Sequence, residues 1–150
     1  MKALSLTAIA LLTLSAQLGA QSPKPPIIEV RVAATTARPG YAPRKLADTT
    51  FYVSDSVLFS DADIQRADTT WEDGILNFRI RLSAQTAARM GAMTKDHVGD
   101  QVAVFFNGEF TSASIIVTPL DTPRLGLQAF GRPKADALAA QVLARWPPRR

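Results

Sequence analysis

Cysteine is absent from the 150 residues and histidine occurs once, at His97. The first absence excludes disulfide staples, thiolate nucleophiles, cysteine metal sites and lipid attachment through an N-terminal cysteine. The second leaves metal binding and Ser–His chemistry with a single imidazole to draw on. Aromatic residues make up only 7% of the chain, and the basic surplus is small, 17 Lys and Arg against 13 Asp and Glu. That surplus is scattered apart from Arg149 and Arg150, and no groove alternating aromatic and basic residues is visible, so nucleic acid is not an expected partner.

Long apolar runs are also lacking, with one exception at the start. MKALSLTAIALLTLSAQLGA places Lys2 before an apolar stretch from Ala3 to Ala16 and small residues at Gly19 and Ala20. Fourteen helical residues reach about 21 Å, short of a hydrocarbon core of roughly 30 Å. The layout is that of a secretory signal peptide over residues 1–20, although Leu18 stands where a cleavage site favours a small residue. Its removal takes away Lys2 alone and leaves a net charge of +3 on 130 residues. The expected product is exported, periplasmic or secreted, without a stable membrane span, and large enough to bury a core without disulfides.

The prolines of QSPKPP (residues 21–26) predict an extended leader. IIEVRVA (27–33) alternates in the manner of a half-buried strand, and residues 34–50, with Pro39, Gly40 and Pro43, read as a long surface loop. Domain limits on this reading are 1–20 for the signal, 21–50 for the leader, first strand and loop, and 51–147 for the main domain. FYV (51–53) and VLF (57–59) read as two short strands. Ser60 followed by Asp63 has capping-box spacing and predicts a short helix through Ala67. Asp73-Gly74 predicts a turn between a strand near Thr69–Trp71 and ILNFRIRL (75–82), where Leu76, Phe78, Ile80 and Leu82 face one way and Asn77, Arg79 and Arg81 the other.

Ser83 then caps a helix whose stripe is Ala87, Met90, Thr94 and Val98, closed by Gly99. VAVFF (102–106) reads as a strand covered on both faces, Asn107-Gly108 as a two-residue hairpin turn, and EFTSASIIV (109–117) as the returning strand. Pro119 and Pro123 bracket a break, RLGLQAF makes a further strand, and Pro133 opens a closing helix. That helix carries the stripe Ala135, Leu138, Val142 and Trp146, widened by Ala139 and Leu143 and stopped by Pro147-Pro148. The fold class expected is α+β, two layers, a mixed and mostly antiparallel sheet with two or three helices packed on one face.

Reactive groups are few and each has a structural explanation. Asp61 and Asp63 could ligate calcium, but the rest of a calcium loop is missing and capping accounts for them. Met90 and Met93 fill core more readily than they make an adaptable binding face. His97, without a neighbouring cysteine or carboxylate cluster, suits the end of a helix. Glu72 with Asp73, and Asp96 with Asp100, are carboxylate pairs at turns and helix ends. Ser112 and Ser114 have no base near them in sequence. Arg79 and Arg81 could form an anion-binding patch, against a solvated sheet face or pairing with neighbouring acids. No catalytic residue, metal ligand or cofactor is assigned, and the binding residues are left unknown.

The order of elements from Leu58 to Trp146 resembles the head part of the first periplasmic domain of the SecD and SecDF protein-export subunits. The resembling pieces are VLFSDADIQRA, LSAQTAARMGAMT leading to Val98-Gly99, the Asn107-Gly108 hairpin, Ser112-Ala113, and AFGRPKADALAAQVLA. This sequence has Asp61 where that family favours Gly, Thr86 for a helix Gly, Asn107 for the hairpin Asp and Ser114 for a Pro. The resemblance implies an exported, non-enzymatic interaction module contacting polypeptide or an envelope protein, including a Sec-related one. It does not carry proton-driven translocation across, because the membrane-embedded charges that drive it have no counterpart here. The alternative is a small periplasmic hydrolase using carboxylate or serine chemistry.

Overall fold

The computed structural model describes residues 24–129 and 134–148. The expected signal peptide, the first residues of the leader, Phe130, Pro133 and the terminal arginines lie outside the described residues. What is described is an α+β arrangement of eight strands and two α-helices. The strands are β1 (Ile28–Ala34), β2 (Tyr41–Leu46), β3 (Thr49–Ser60), β4 (Ile64–Glu72), β5 (Ile75–Leu82), β6 (Gln101–Phe106), β7 (Glu109–Ile115) and β8 (Arg124–Ala129). The helices are α1 (Ala84–Thr94) and α2 (Lys134–Arg145).

The single mixed sheet expected from the sequence is two sheets, both wholly antiparallel among the described residues. One has five strands in the order β2-β3-β1-β6-β7; the other has three, β4-β5-β8. Their inner faces share one core. Ile28, Val30, Leu58, Phe59, Val104 and Phe106 from the larger sheet meet Leu76, Phe78, Ile80 and Leu82 from the smaller. Phe78 and Phe106 link the two directly, with ring centroids 4.9 Å apart. Met90 of α1 and Ala135, Leu138, Ala139 and Val142 of α2 are buried in the same core.

The larger sheet also buries part of its second face. Ala33, Val53, Ala103 and Phe105 form a separate buried cluster against which Phe110 packs. Phe110 stacks on Phe105 at 5.2 Å and meets Phe51 edge-on at 5.6 Å. The sheet rolls around this cluster until its edge strands β2 and β7 approach each other. Register shifts in β1–β3 and β6–β7 mark bulges, the devices that let a sheet bend so far.

Several sequence expectations change. Residues 34–50 are not one long loop: Tyr41–Leu46 is β2, whose Pro43 stands on an edge strand, where a missing amide is tolerated. The two short strands are one twelve-residue strand, β3. The helix from Ser60 through Ala67 is a single 3₁₀ turn, Asp61–Asp63, after which Ile64 begins β4. The Ser60 amide does donate to the Asp63 carboxylate, at 3.0 Å, but one satisfied cap cannot prolong a helix whose next residues gain more as a strand paired to β5. In α1, Val98 leaves the stripe: the helix ends at Thr94, and Val98 is 51% exposed. In α2 Leu143 is exposed, whereas Trp146 packs on the core and donates its ring N–H to the Ile64 carbonyl at 3.3 Å.

β5, the Ser83 cap and the Asn107-Gly108 turn stand as read. Ser83 accepts the Thr86 amide at 3.0 Å, and Asn107 and Gly108 both have positive φ, as a mirror-type hairpin turn requires.

Candidate functional site

The site arises from how the chain leaves β7. Strands joined in sequence ordinarily pair, yet β7 bonds only to β6 and β8 only to β5. The connection between them, residues 116–123, first exchanges backbone hydrogen bonds from Ile116 with Gly99 and Asp100, both at 2.8 Å, and is then tied down on α1. Buried Thr94 donates its hydroxyl to the Met90 carbonyl at 2.8 Å and accepts the Leu120 amide at 2.8 Å. Beside it the loop presses on the helix so closely that a Cβ on Gly91 would stand 2.7 Å from Cβ of Asp121. Pro119 and Pro123 offer no amide to a ladder, and the Pro123 carbonyl accepts the Leu82 amide at 2.8 Å, delivering β8 to β5.

Between the two edge strands lies a cleft of about 510 Å³. Ser112, Ala113 and Ser114 of β7 line one side and Gly126, Leu127 and Gln128 of β8 the other. Val104, Phe78, Asn77, Arg79, Thr70 and Glu72 complete it. A sheet edge presents N–H and C=O groups with no strand to pair them, and here two such edges border one hollow.

The polar face of the smaller sheet continues from this cleft. Cross-strand register sets Arg66, Arg81 and Arg124 in one row; Asp68, Arg79 and Gly126 in the next; and Thr70, Asn77 and Gln128 in a third. Gln128 Nε2 donates to Asn77 Oδ1 at 3.0 Å. The first two rows line a bay of about 810 Å³, which shares Arg79 and Gly126 with the cleft. Arg66 pairs with Asp68 at 2.9 Å. That hydrogen-bonded pairing, with weaker attraction from Arg79 and Arg81, outweighs partial desolvation and holds the Asp68 carboxyl below its ordinary range. A Cβ on Gly126 would meet nothing within 4 Å.

The remaining sequence candidates have mostly structural duties. Asp61 accepts the Ile27 and Ile28 amides at 3.0 and 2.8 Å and so fixes the start of β1. Asp63 accepts from Ser60 and, at 2.9 Å, from Arg89 of α1. Met90 is wholly buried and Met93 packs against the same core. His97 is not isolated from carboxylates: its Nδ1 lies 2.7 Å from Asp100, which also receives two bonds from Arg38, at 2.5 and 2.6 Å. Arg38 above all, with His97 adding to it, keeps the Asp100 carboxyl low against an opposing desolvation. Asp100 therefore turns to Arg38 and His97, and no hydrogen bond or ion pair joins it to Asp96. Asp73 has positive φ in the β4–β5 turn. Glu72, Ser112 and Ser114 do share the cleft, but among the described residues neither serine hydroxyl bonds to a carboxylate.

Sequence reasoning missed β8 as a wall of the site, and with it Gly126 and Arg124. A glycine inside an alternating strand was the available signal, since it marks a close approach of backbone or ligand.

Fold and site together define a β-rich α+β head with two open strand edges facing one cleft. The chain belongs to the SecDF P1 head subdomain family, whose family model matches residues 35–144. Among solved structures it is similar to SecDF, described as a membrane component that enhances protein export, with TM-score 0.57, 13% identity, and coverage of 82% of this chain and 64% of that one. It is also similar to SecDF in a super-membrane-facing form, with TM-score 0.56, 14% identity, and coverage of 82% of this chain and 19% of that one. The chain thus spans less than two thirds of either relative, and at these identities the likeness is one of fold. The comparison with curated proteins gives no match. No helix among the described residues is long and apolar enough to cross a membrane.

Proposed function

We propose that this chain is an exported, non-enzymatic binding module that holds an extended polypeptide segment in the cleft between β7 and β8. Residues 1–20 act as its signal and the folded part, from β1 through Trp146, works in the periplasm, alone or beside the export machinery to which its family belongs. The observation that carries the reading is the pair of one-sided strand edges bordering a single hollow. An incoming strand gains main-chain hydrogen bonds without any particular sequence, which suits a site that meets unfolded chains of many kinds. The hydrolase alternative would need either a serine held against a base or a pair of carboxylates facing one hollow. Among the described residues the serines of the cleft have no such base, Glu72 is the one acid lining the cleft, and Asp100 is engaged by Arg38 and His97.

Titration of isotope-labelled protein with an unfolded peptide tests this. Amide shifts and slowed hydrogen exchange are expected at 112–114 and 126–128. Binding that leaves both edges unchanged would refute the assignment.

A further inference from the structure

We infer that the arginine bay beside the cleft receives acidic side chains of the same extended polypeptide, so that the module favours segments with carboxylates two residues apart; the inference rests on the cleft being a polypeptide site. It begins from an electrostatic cost within the sheet. Residues directly opposite on one face of an antiparallel pair stand about 4.5–5.5 Å apart at Cβ, and like charges there destabilise. Arg66 faces Arg81, and Arg81 faces Arg124, so three guanidiniums share one row and Arg79 lies in the next. Asp68 pairs with Arg66. Arg79, Arg81 and Arg124 form no side-chain ion pair among the described residues. Asp68, opposite Arg79 and already bonded to Arg66, also attracts Arg79 and Arg81, but one carboxylate against four guanidiniums leaves a positive surplus in the bay, and an anionic occupant would relieve the repulsion.

Shape and continuity favour a chain over a membrane surface. The bay is a concavity, which admits a narrow strand and not a flat bilayer, and it shares Arg79 and Gly126 with the cleft. Without a side chain at Gly126, a strand lying along β8 can pass from one hollow to the other. An extended chain repeats on one face every two residues, about 6.6–6.8 Å, the same step that separates Arg79 from Arg81 along β5. Guanidinium groups bind carboxylates through two parallel hydrogen bonds, a geometry lysine cannot reproduce.

Fluorescence anisotropy of the mature chain with three extended peptides, identical except for Gln, Glu or Lys at alternate positions, provides the test. The Glu peptide is expected to bind about tenfold tighter than the Gln peptide at low salt. That advantage should vanish near 1 M salt, where the screening length is about 3 Å. It should also vanish in a double variant, Arg81→Gln with Arg124→Gln, whose affinity for the Gln peptide stays at the parent value and whose unfolding midpoint stays level or rises as the repulsion is removed. Equal affinity for Glu and Gln peptides overturns the inference and leaves the cleft reading standing. Failure of all three to bind removes both. Arginine-dependent capture on phosphatidylglycerol vesicles, with no gain from glutamate, would overturn it in favour of a lipid surface.

Discussion

The two sheets of this domain treat their second faces in opposite ways. The five-stranded sheet curls around Ala33, Val53, Ala103 and Phe105 and so finds apolar partners on both sides. The three-stranded sheet packs one face with Leu76, Phe78, Ile80 and Leu82 and gives the other to arginines and amides. A sheet with both faces occupied by its own side chains is committed to holding the fold. One that spends charge on an open face, at a cost to itself, has that face free to meet a partner.

The contrast can be broken most severely where the sheets meet. Phe78→Ala removes a fully buried ring that meets Phe106 of the other sheet and should cost about 3–5 kcal/mol in denaturant unfolding. A loss under about 1 kcal/mol would mean that the sheets do not share one core. Next in size is a pair of glycines. Gly91→Ala forces a methyl to within 2.7 Å of the Asp121 side chain and should destabilise by about 1–3 kcal/mol. Gly126→Ala meets nothing and should leave stability level or raise it by up to about 0.5–1 kcal/mol, what strand glycine ordinarily forfeits, while weakening peptide binding. Equal effects of the two on the unfolding midpoint would contradict the distinction between a packed approach and an open one.

Thr94→Val strands the Leu120 amide and should cost about 1–3 kcal/mol; hydrogen exchange at Leu120 would show the connection lifting from α1. The smallest effect is a pH dependence. Asp100 has a lower carboxyl pKa folded than unfolded because Arg38 and His97 engage it. Its contribution is therefore complete above the ordinary carboxylate range and drains away as pH falls through the folded value. Asp100→Asn should flatten that acid limb by lowering stability near neutrality, where the carboxylate's contribution is complete, and change little at pH below the folded value, where Asp100 is already protonated.

Local signals carried most of the element reading. Strict alternation in β5, a hydroxyl cap at Ser83 and Asn-Gly after an apolar run each decide structure within a few residues. The misreadings came where distant partners decide. β2 is polar, contains Pro43 and is a strand only because β3 pairs with it. Ser60 to Ala67 has a helix's opening residues, but pairing with β5 claims the segment from Ile64. The site was less legible still. Arg79 and Arg81 were visible as a patch on one strand, but the row joining Arg66, Arg81 and Arg124 exists only once register is fixed. The cleft depends on β7 and β8 failing to pair, a result of the Thr94 anchor that no spacing announces.

The order β4-β5-β8 also bears on the timing of assembly. The β4–β5 hairpin is local, but its third strand lies beyond residues 83–123, which supply α1, β6 and β7. A chain emerging from its N-terminus therefore carries β5 with one bare flank, and Leu76 and Phe78 short of cover, until Arg124–Ala129 follows. The edge that completes the small sheet is among the last to be placed, and its far side is the one left facing the cleft.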